Sequence, residues 1–201
     1  MYIFGDTYFQ GAVLKNVFQI VFLLVITSEF LILIFTSWNS HKNSGKKTKS
    51  DRGSMLIIMF GYWLAILMNP ICIHSFPLIM PTFVFWIGVI LTILGVILRV
   101  FSVWTLGKFF TLAVQVGSEQ KIVQIGPYRL LRHPAYTGSI LSLIGIALSF
   151  RSPWGVAVTL LIIAAVYGYR IKTEETTLEK SFGLQYQDYE KHTWRLIPYI
   201  W

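Results

Sequence analysis

Long, nearly uncharged runs of apolar residues constrain this chain more than any other feature of its sequence. Five runs cover residues 17–38, 55–74, 82–103, 133–150 and 153–170. An α-helix needs ~20 predominantly apolar residues to cross the hydrocarbon layer of a membrane, and most of the runs are close to that length. The sequence therefore predicts an all-α integral membrane protein with about five transmembrane helices, forming a single domain over residues 1–201.

Composition excludes the main alternative classes of protein. Hydrophobic residues make up 55% of the chain and charged residues 13%, whereas roughly a quarter of the residues in a soluble domain are charged. The net charge of +8 would suit a nucleic-acid-binding protein, but such a protein does not gather its apolar residues into long runs. The hydrophobicity excludes disorder, and the single cysteine, Cys72, excludes a disulfide scaffold. We expect membrane lipids and no nucleic acid as partners.

The distribution of lysine and arginine predicts the orientation of the chain in the membrane. Fifteen of the 17 basic residues fall in three regions, residues 39–54, 99–132 and 170–201, which share one side if there are five spans. Only Lys15 and Arg151 fall on the other side. Because basic loops remain in the cytoplasm, we expect the N-terminus outside and the C-terminus in the cytoplasm. We expect a bacterial inner membrane rather than the endoplasmic reticulum.

Polar residues crowd two segments at the edge of the apolar spans, residues 106–138 and 169–201. The two short spans between these segments should form a tight helical hairpin, so that both segments lie at the cytoplasmic face. Within the spans themselves charge is sparse, and Glu29 is expected to be capped or to face the helix bundle. No internal repeat is visible, which argues against an inverted-repeat transporter.

The motifs in these segments are weak one by one. Arg170 and Glu174 are four residues apart and share a helix face, which is also the spacing of an ordinary surface ion pair. Pro134 suits the first turn of a helix, and Gly126-Pro127 is typical of a turn. In combination, the motifs resemble the isoprenylcysteine carboxyl methyltransferase family of integral-membrane enzymes. The matching sequences are GPY at 126–128, RHPAYTG at 132–138, Arg170 followed by EE at 174–175, FGLQYQDY at 182–189 and RLIP at 195–198.

The resemblance implies a fold, a cofactor and a set of site residues. It implies S-adenosylmethionine as methyl donor, in a cytoplasmic pocket formed by the loop before the fourth helix and the segment after the fifth. Arg170 matches the arginine that the family places at the acceptor carboxylate, and it is expected to act in catalysis together with Glu174. The implied cofactor contacts are Gln115, Gln120, Lys121, Ile122, Val123, Tyr128, His133, Pro134, Ala135, Tyr136 and Glu174.

Physical chemistry is consistent with these roles and leaves the acceptor open. A carboxylate acceptor is already ionised at neutral pH, so methyl transfer to it needs alignment rather than a general base. The expected acceptor is a lipid-like or prenylated carboxylate, and no metal is expected. The alternatives are a methyltransferase of a phospholipid amine or other small amphiphile, and a membrane protein that keeps the fold without catalysis. The aromatic residues of the tail are expected at the level of the lipid headgroups, with or without a part in closing the pocket.

Overall fold

The structure is a computed structural model that describes residues 8–9, 11–42, 52–110 and 121–199. Six α-helices lie in these ranges: α1 (Ala12–Lys42), α2 (Arg52–Ser75), α3 (Thr82–Leu106), α4 (Pro134–Ser149), α5 (Pro153–Phe182) and α6 (Leu184–Lys191). Short 3-10 turns occupy Gly107–Phe109 and Gly126–Arg129. The all-α fold class is confirmed. Within the described ranges, the extended pairing is limited to one isolated β-bridge, between Leu131 and Trp194.

Helices α1, α2, α3 and α5 are long and apolar enough to cross a membrane, while α4 is also apolar but has 16 residues. Each of the five helices coincides with one apolar run, and α5 continues to Phe182, well beyond the expected end at residue 170. Lysine, glutamate and leucine, which are good helix formers, follow that point. The helix ends where Gly183 adopts a left-handed backbone with φ 53°. Glu174 and Glu175 therefore lie on the helical extension, beyond the apolar part of α5.

Glycines bring the backbones of α3 and α4 together. A Cβ atom added at Gly95 of α3 would lie 2.5 Å from the backbone nitrogen of Ser142, and one added at Gly138 of α4 would lie 2.6 Å from that of Arg99. Such distances leave no room for a side chain, and small residues allow this kind of close approach between helices in membranes. The contact sets Arg99 directly beside the first turns of α4.

The core of the bundle is aromatic and aliphatic. Phe18 packs against Phe150 with 5.0 Å between ring centroids, and Phe9 packs against Phe85 at 6.1 Å. The outward faces are also apolar, as at Leu161, which is 71% exposed. Apolar side chains on the outward face of the bundle are compatible with a lipid environment, because lipid tails are as apolar as leucine.

The two helices of the hairpin, α4 and α5, both begin where their prolines predict. Both helices have a proline in the first turn, at Pro134 and Pro153, where the missing N–H costs nothing. Ser152 caps α5 by accepting a hydrogen bond from the backbone of Gly155 at 3.2 Å. The turn is held to the loop before α3, because Arg151 Nε donates to the Met80 carbonyl at 2.7 Å. The start of α4 and the end of α5 therefore lie at the same end of the bundle.

Candidate active site

A cavity opens where the start of α4 meets the end of α5. Its volume is about 210 Å³, against the ~10–15 Å³ that a single water molecule needs, so it can hold an organic ligand. Nine residues expected from the sequence line it: Lys121, Ile122, Val123, Tyr128, His133, Ala135, Tyr136, Arg170 and Glu174. Pro134 is fully buried as the first residue of α4 and is not among the lining residues. Gln115 and Gln120 lie outside the described residues.

Arg170 and Glu174 are joined at the cavity wall by one phenol. Arg170 is only 2% exposed, and its Nε donates to the Tyr136 hydroxyl at 2.8 Å. That hydroxyl donates to Glu174 Oε2 at 2.6 Å, and Arg170 Nε lies 3.9 Å from the same oxygen. Another guanidinium nitrogen donates to the Ser54 hydroxyl on α2. The guanidinium is thus held in place from two helices, and the Glu174 side chain stays 28% exposed.

Glu175 organises the region behind the cavity. Its carboxylate, 7% exposed, accepts from Arg195 at 2.8 Å and from Arg132 Nε at 3.1 Å. His133 Nε2 lies 3.2 Å from the same carboxylate. Three side chains from two separate segments therefore converge on one buried anion. Because charge-assisted hydrogen bonds are stronger than neutral ones, Glu175 holds the segment before α4 firmly against the C-terminal segment.

The segment after α6 is fastened to the chain just before α4. Arg132 N donates to the Trp194 carbonyl at 2.7 Å, and Trp194 N donates to the Leu130 carbonyl at 3.0 Å. His133 N donates to the Arg195 carbonyl at 3.2 Å. These backbone bonds form the isolated parallel bridge and bring the C-terminal segment against the residues that precede Pro134.

The aromatic residues of the tail divide into two groups. Tyr186 and Tyr189 are 2% and 6% exposed and line the cavity, so these two side chains help to close it. Trp194 and Tyr199 are 37% and 84% exposed and remain suited to an interface. The Tyr189 hydroxyl donates to the Tyr128 carbonyl at 2.7 Å, which fastens α6 to the 3-10 turn. Trp201 lies outside the described residues.

Burial keeps the tyrosines of this end neutral. Burial, with the nearby carboxylate of Glu174, holds the pKa of Tyr128 well above its ordinary value. Burial, with the Glu175 carboxylate, raises the pKa of Tyr186 in the same way. The Tyr186 hydroxyl is buried without a hydrogen-bond partner among the described residues. It is a neutral donor that a ligand in the cavity can satisfy.

A second polar cluster lines the bundle side of the same cavity. Arg99 contacts both oxygens of Glu29, with Nε 2.6 Å from Oε1 and Nη2 donating to Oε2 at 2.7 Å. Arg99 Nη1 donates to the Ser139 hydroxyl at 2.5 Å. Tyr62 lines the cavity beside this pair, and its buried hydroxyl has no hydrogen-bond partner among the described residues. The bundle-facing orientation expected for Glu29 is confirmed.

Sequence reasoning did not assign this second cluster to the site. The signal was present, since Glu29 and Arg99 are isolated opposite charges in two apolar runs, and such charges in membrane helices pair with one another. Tyr62 gave no signal, because tyrosine is common in apolar helices. Among the described residues, no group of three or more His, Cys, Asp or Glu side chains could hold a metal ion.

The fold and the cavity together define the class of protein. Helices of membrane-spanning length surround a cavity lined by arginine, glutamate and tyrosine side chains, and this arrangement defines an integral-membrane protein with a polar cavity inside its bundle. The chain belongs to the phospholipid methyltransferase family, whose model matches residues 83–185. That match runs from the start of α3 into α6.

Named relatives agree with the family and make the resemblance more specific. A probable protein-S-isoprenylcysteine O-methyltransferase from Oryza sativa subsp. indica is 30% identical over 120 residues, which are 59% of this chain and 63% of that protein. A protein-S-isoprenylcysteine O-methyltransferase from Tribolium castaneum is 34% identical over 116 residues, covering 57% and 41%. The chain thus spans less than two thirds of the length of these relatives. The resemblance to isoprenylcysteine carboxyl methyltransferases is confirmed.

A solved structure agrees with the fold. The eukaryotic intramembrane Ras methyltransferase ICMT (isoprenylcysteine carboxyl methyltransferase) superimposes with a TM-score of 0.57 at 27% identity, covering 76% of this chain and 55% of that one. The relatives named here and this structure are eukaryotic, and they do not favour the bacterial inner membrane that the sequence led us to expect.

Proposed function

We propose that this protein is an integral-membrane methyltransferase that moves a methyl group from S-adenosylmethionine to the carboxylate of a lipid-like acceptor of the isoprenylcysteine type. The observation that carries the proposal is the joined pair of Arg170 and Glu174. One turn apart on α5, they line one cavity with opposite charges, connected through the Tyr136 hydroxyl. The names of the relatives support the acceptor class.

S-adenosylmethionine, when bound, supplies a methyl group on a cationic sulfur. The residues at the cytoplasmic end of the cavity fit such a donor. Glu174 is a partly exposed carboxylate suited to its ammonium, and the rings of His133 and Tyr136, stacked with centroids 5.6 Å apart, offer faces suited to a cation or an adenine ring. The remaining proposed contacts are Lys121, Ile122, Val123, Tyr128 and Ala135, with Pro134 shaping the backbone and Gln115 and Gln120 still predictions.

Arg170 is proposed to align the acceptor carboxylate. Its planar guanidinium matches the geometry of a carboxylate, and the contacts to Tyr136 and Ser54 restrict its motion. Arg170 would hold one carboxylate oxygen of the acceptor toward the methyl carbon of a bound donor, whose sulfur would keep the electron pair of the carbon–sulfur bond as the new oxygen–carbon bond forms. Because the nucleophile is ionised beforehand, no proton is removed, and the gain from alignment can reach ~7–11 kcal/mol.

A phospholipid amine is the second candidate acceptor, because the matched family carries the name phospholipid methyltransferase. An ammonium group has to lose a proton before it attacks, and a buried guanidinium such as that of Arg170 repels it. The arrangement of charges therefore supports the carboxylate over the amine. A protein without catalysis is the third candidate, and it predicts no binding of the methyl donor.

The proposed site also requires an orientation. The water-soluble donor enters from the cytoplasm and the lipid tail enters from the bilayer, so the starts of α4 and α6 belong at the cytoplasmic face. This agrees with the excess of basic residues in the same segments and puts the N-terminus outside. The proposed partners are membrane lipids and a prenylated or otherwise lipid-like carboxylate.

Thermal unfolding of the purified protein with S-adenosylmethionine and with S-adenosylhomocysteine tests the donor site, because a ligand that binds only the folded state raises Tm. Glu174→Ala should weaken donor binding by ~1.5–3 kcal/mol through loss of a charge-assisted hydrogen bond. Glu179→Ala, on the exposed part of α5, is the matched control. Donor affinity equal to wild type in Glu174→Ala would contradict the assignment.

Arg170→Lys tests the acceptor role separately. Lysine keeps the charge but loses the two-donor fork, so donor binding should persist while transfer of labelled methyl to N-acetyl-S-farnesylcysteine falls by at least about tenfold. Arg129→Lys, at an exposed position outside the cavity, is the matched control. Near-wild-type transfer in Arg170→Lys would remove this arginine from the mechanism, and methylation of phosphatidylethanolamine instead of the acid would favour the amine candidate.

A further inference from the structure

Tyr62 is a polar group on the bundle side of the cavity that the proposed reaction does not yet use. It belongs to α2, which lies before the segment matched by the family, residues 83–185. The residue is 8% exposed, and its hydroxyl is buried without a hydrogen-bond partner among the described residues. A buried hydroxyl without a hydrogen bond lowers the stability of the folded protein unless a ligand supplies the missing partner.

The charges around Tyr62 indicate which kind of ligand group would satisfy it. Glu29 and Arg99 are its charged neighbours. Both oxygens of Glu29 are engaged by Arg99, at 2.6 and 2.7 Å, so this carboxylate is already neutralised. The groups left to be satisfied are the Tyr62 hydroxyl and Arg99 Nε, both buried without a hydrogen-bond partner among the described residues. An arginine nitrogen can only donate and the hydroxyl can donate as well, so the two are complemented together by a ligand oxygen rather than by an ammonium.

The surroundings of Tyr62 also suit the apolar part of an amphiphile. Leu33, Ile58, Met59 and Trp63 also line the cavity. Tyr167 is a close neighbour of Tyr62, and its ring packs edge-on against Tyr136 with centroids 5.8 Å apart. The neighbourhood of Tyr62 is thus continuous, through Tyr167 and Tyr136, with the position of Arg170.

We propose that Tyr62 is a specificity-determining residue whose hydroxyl donates a hydrogen bond to an oxygen of the acceptor's acidic headgroup. This inference rests on the proposed function and deepens it, because it assigns recognition of the acceptor to a residue of α2, outside the segment matched by the family. The Tyr62 hydroxyl thus favours binding of an acceptor with an acidic headgroup over one with an amine headgroup.

Tyr62→Phe tests the inference, since it removes the hydroxyl and keeps the ring. The matched control is Tyr169→Phe, at an exposed tyrosine outside the cavity. Each variant is saturated with S-adenosylhomocysteine and titrated with two probes, N-acetyl-S-farnesylcysteine and N-acetyl-S-farnesylcysteamine, which is the same molecule without the carboxyl group. Tm without ligand and affinity for S-adenosylhomocysteine are measured alongside.

Tyr62→Phe should weaken binding of the carboxylic acid by about tenfold or more, with no change for the cysteamine probe or for S-adenosylhomocysteine. Its Tm without ligand should equal or exceed that of wild type, because an unsatisfied buried hydroxyl has been removed. Equal loss with both probes, no loss with the acid, or a lowered Tm would each overturn the inference. If wild-type protein binds S-adenosylhomocysteine but not the acid, the acceptor class is wrong and the inference falls while the methyltransferase site stands.

Discussion

Replacing Glu175 with glutamine removes the anion on which three side chains converge. Arg132, His133 and Arg195 have side chains that are 11%, 3% and 34% exposed, so Arg195 can be rehydrated while the other two remain buried. Breaking a buried ion pair from one side costs ~3–5 kcal/mol. Glutamine keeps one carbonyl oxygen for one of the donors, and we therefore expect a loss near the lower end, about 3 kcal/mol.

Thermal unfolding in detergent measures this loss. Glu179→Gln is the matched control, since it makes the same chemical change on the exposed side of the same helix, where substitutions usually change stability by less than ~0.5 kcal/mol. Tm should fall clearly for Glu175→Gln and stay near wild type for Glu179→Gln. The backbone bonds at Trp194 and Arg195 should also open, so limited proteolysis should cut the C-terminal segment faster. Equal Tm values for the two variants would refute the reasoning.

Two further predictions concern packing and orientation. Gly138→Ala should destabilise the protein by ~1–3 kcal/mol, because the new Cβ would lie 2.6 Å from the backbone of Arg99, whereas Gly168→Ala, with nothing within 4 Å, should not lower Tm. In a Cys72→Ser background, a cysteine placed in the basic loop 39–54 should react with membrane-impermeant reagents only after the membrane is opened, and one placed at Phe76 should react in intact cells. Labelling of the basic loop from outside would contradict the proposed orientation.

Much of the helix pattern follows from local physics. Pro134 and Pro153 lie at helix starts, where the missing N–H costs nothing and a sequence alone can predict them. Pro70 lies inside α2, so a proline does not by itself mark a helix start in this chain. The end of α5 is different. The apolar run stops near residue 170 while the helix continues to Phe182, because helix formation depends on propensity and capping as well as on burial.

Several contacts of the site join residues that are far apart in the sequence, and local sequence patterns do not predict such contacts. Glu29 and Arg99 are 70 residues apart, and no periodicity connects them. The burial of Tyr186 could not be separated from an interfacial position, since tyrosine is suited to both environments. The neighbours Glu174 and Glu175 look equivalent in sequence, but the turn of the helix directs one toward the cavity and the other toward Arg132 and Arg195.

The shortness of α4 has a consequence for where a lipid-borne group would be modified. Its 16 residues rise about 24 Å, whereas the hydrocarbon layer is ~30 Å thick. The two ends of α4 therefore cannot both reach a membrane surface at the same time unless the bilayer thins locally. The end of α4 at His133 carries the cavity with Arg170 and Glu174. Under the proposed function, a recess at that end would let an acceptor present its reactive atom while its hydrocarbon tail stays in the leaflet.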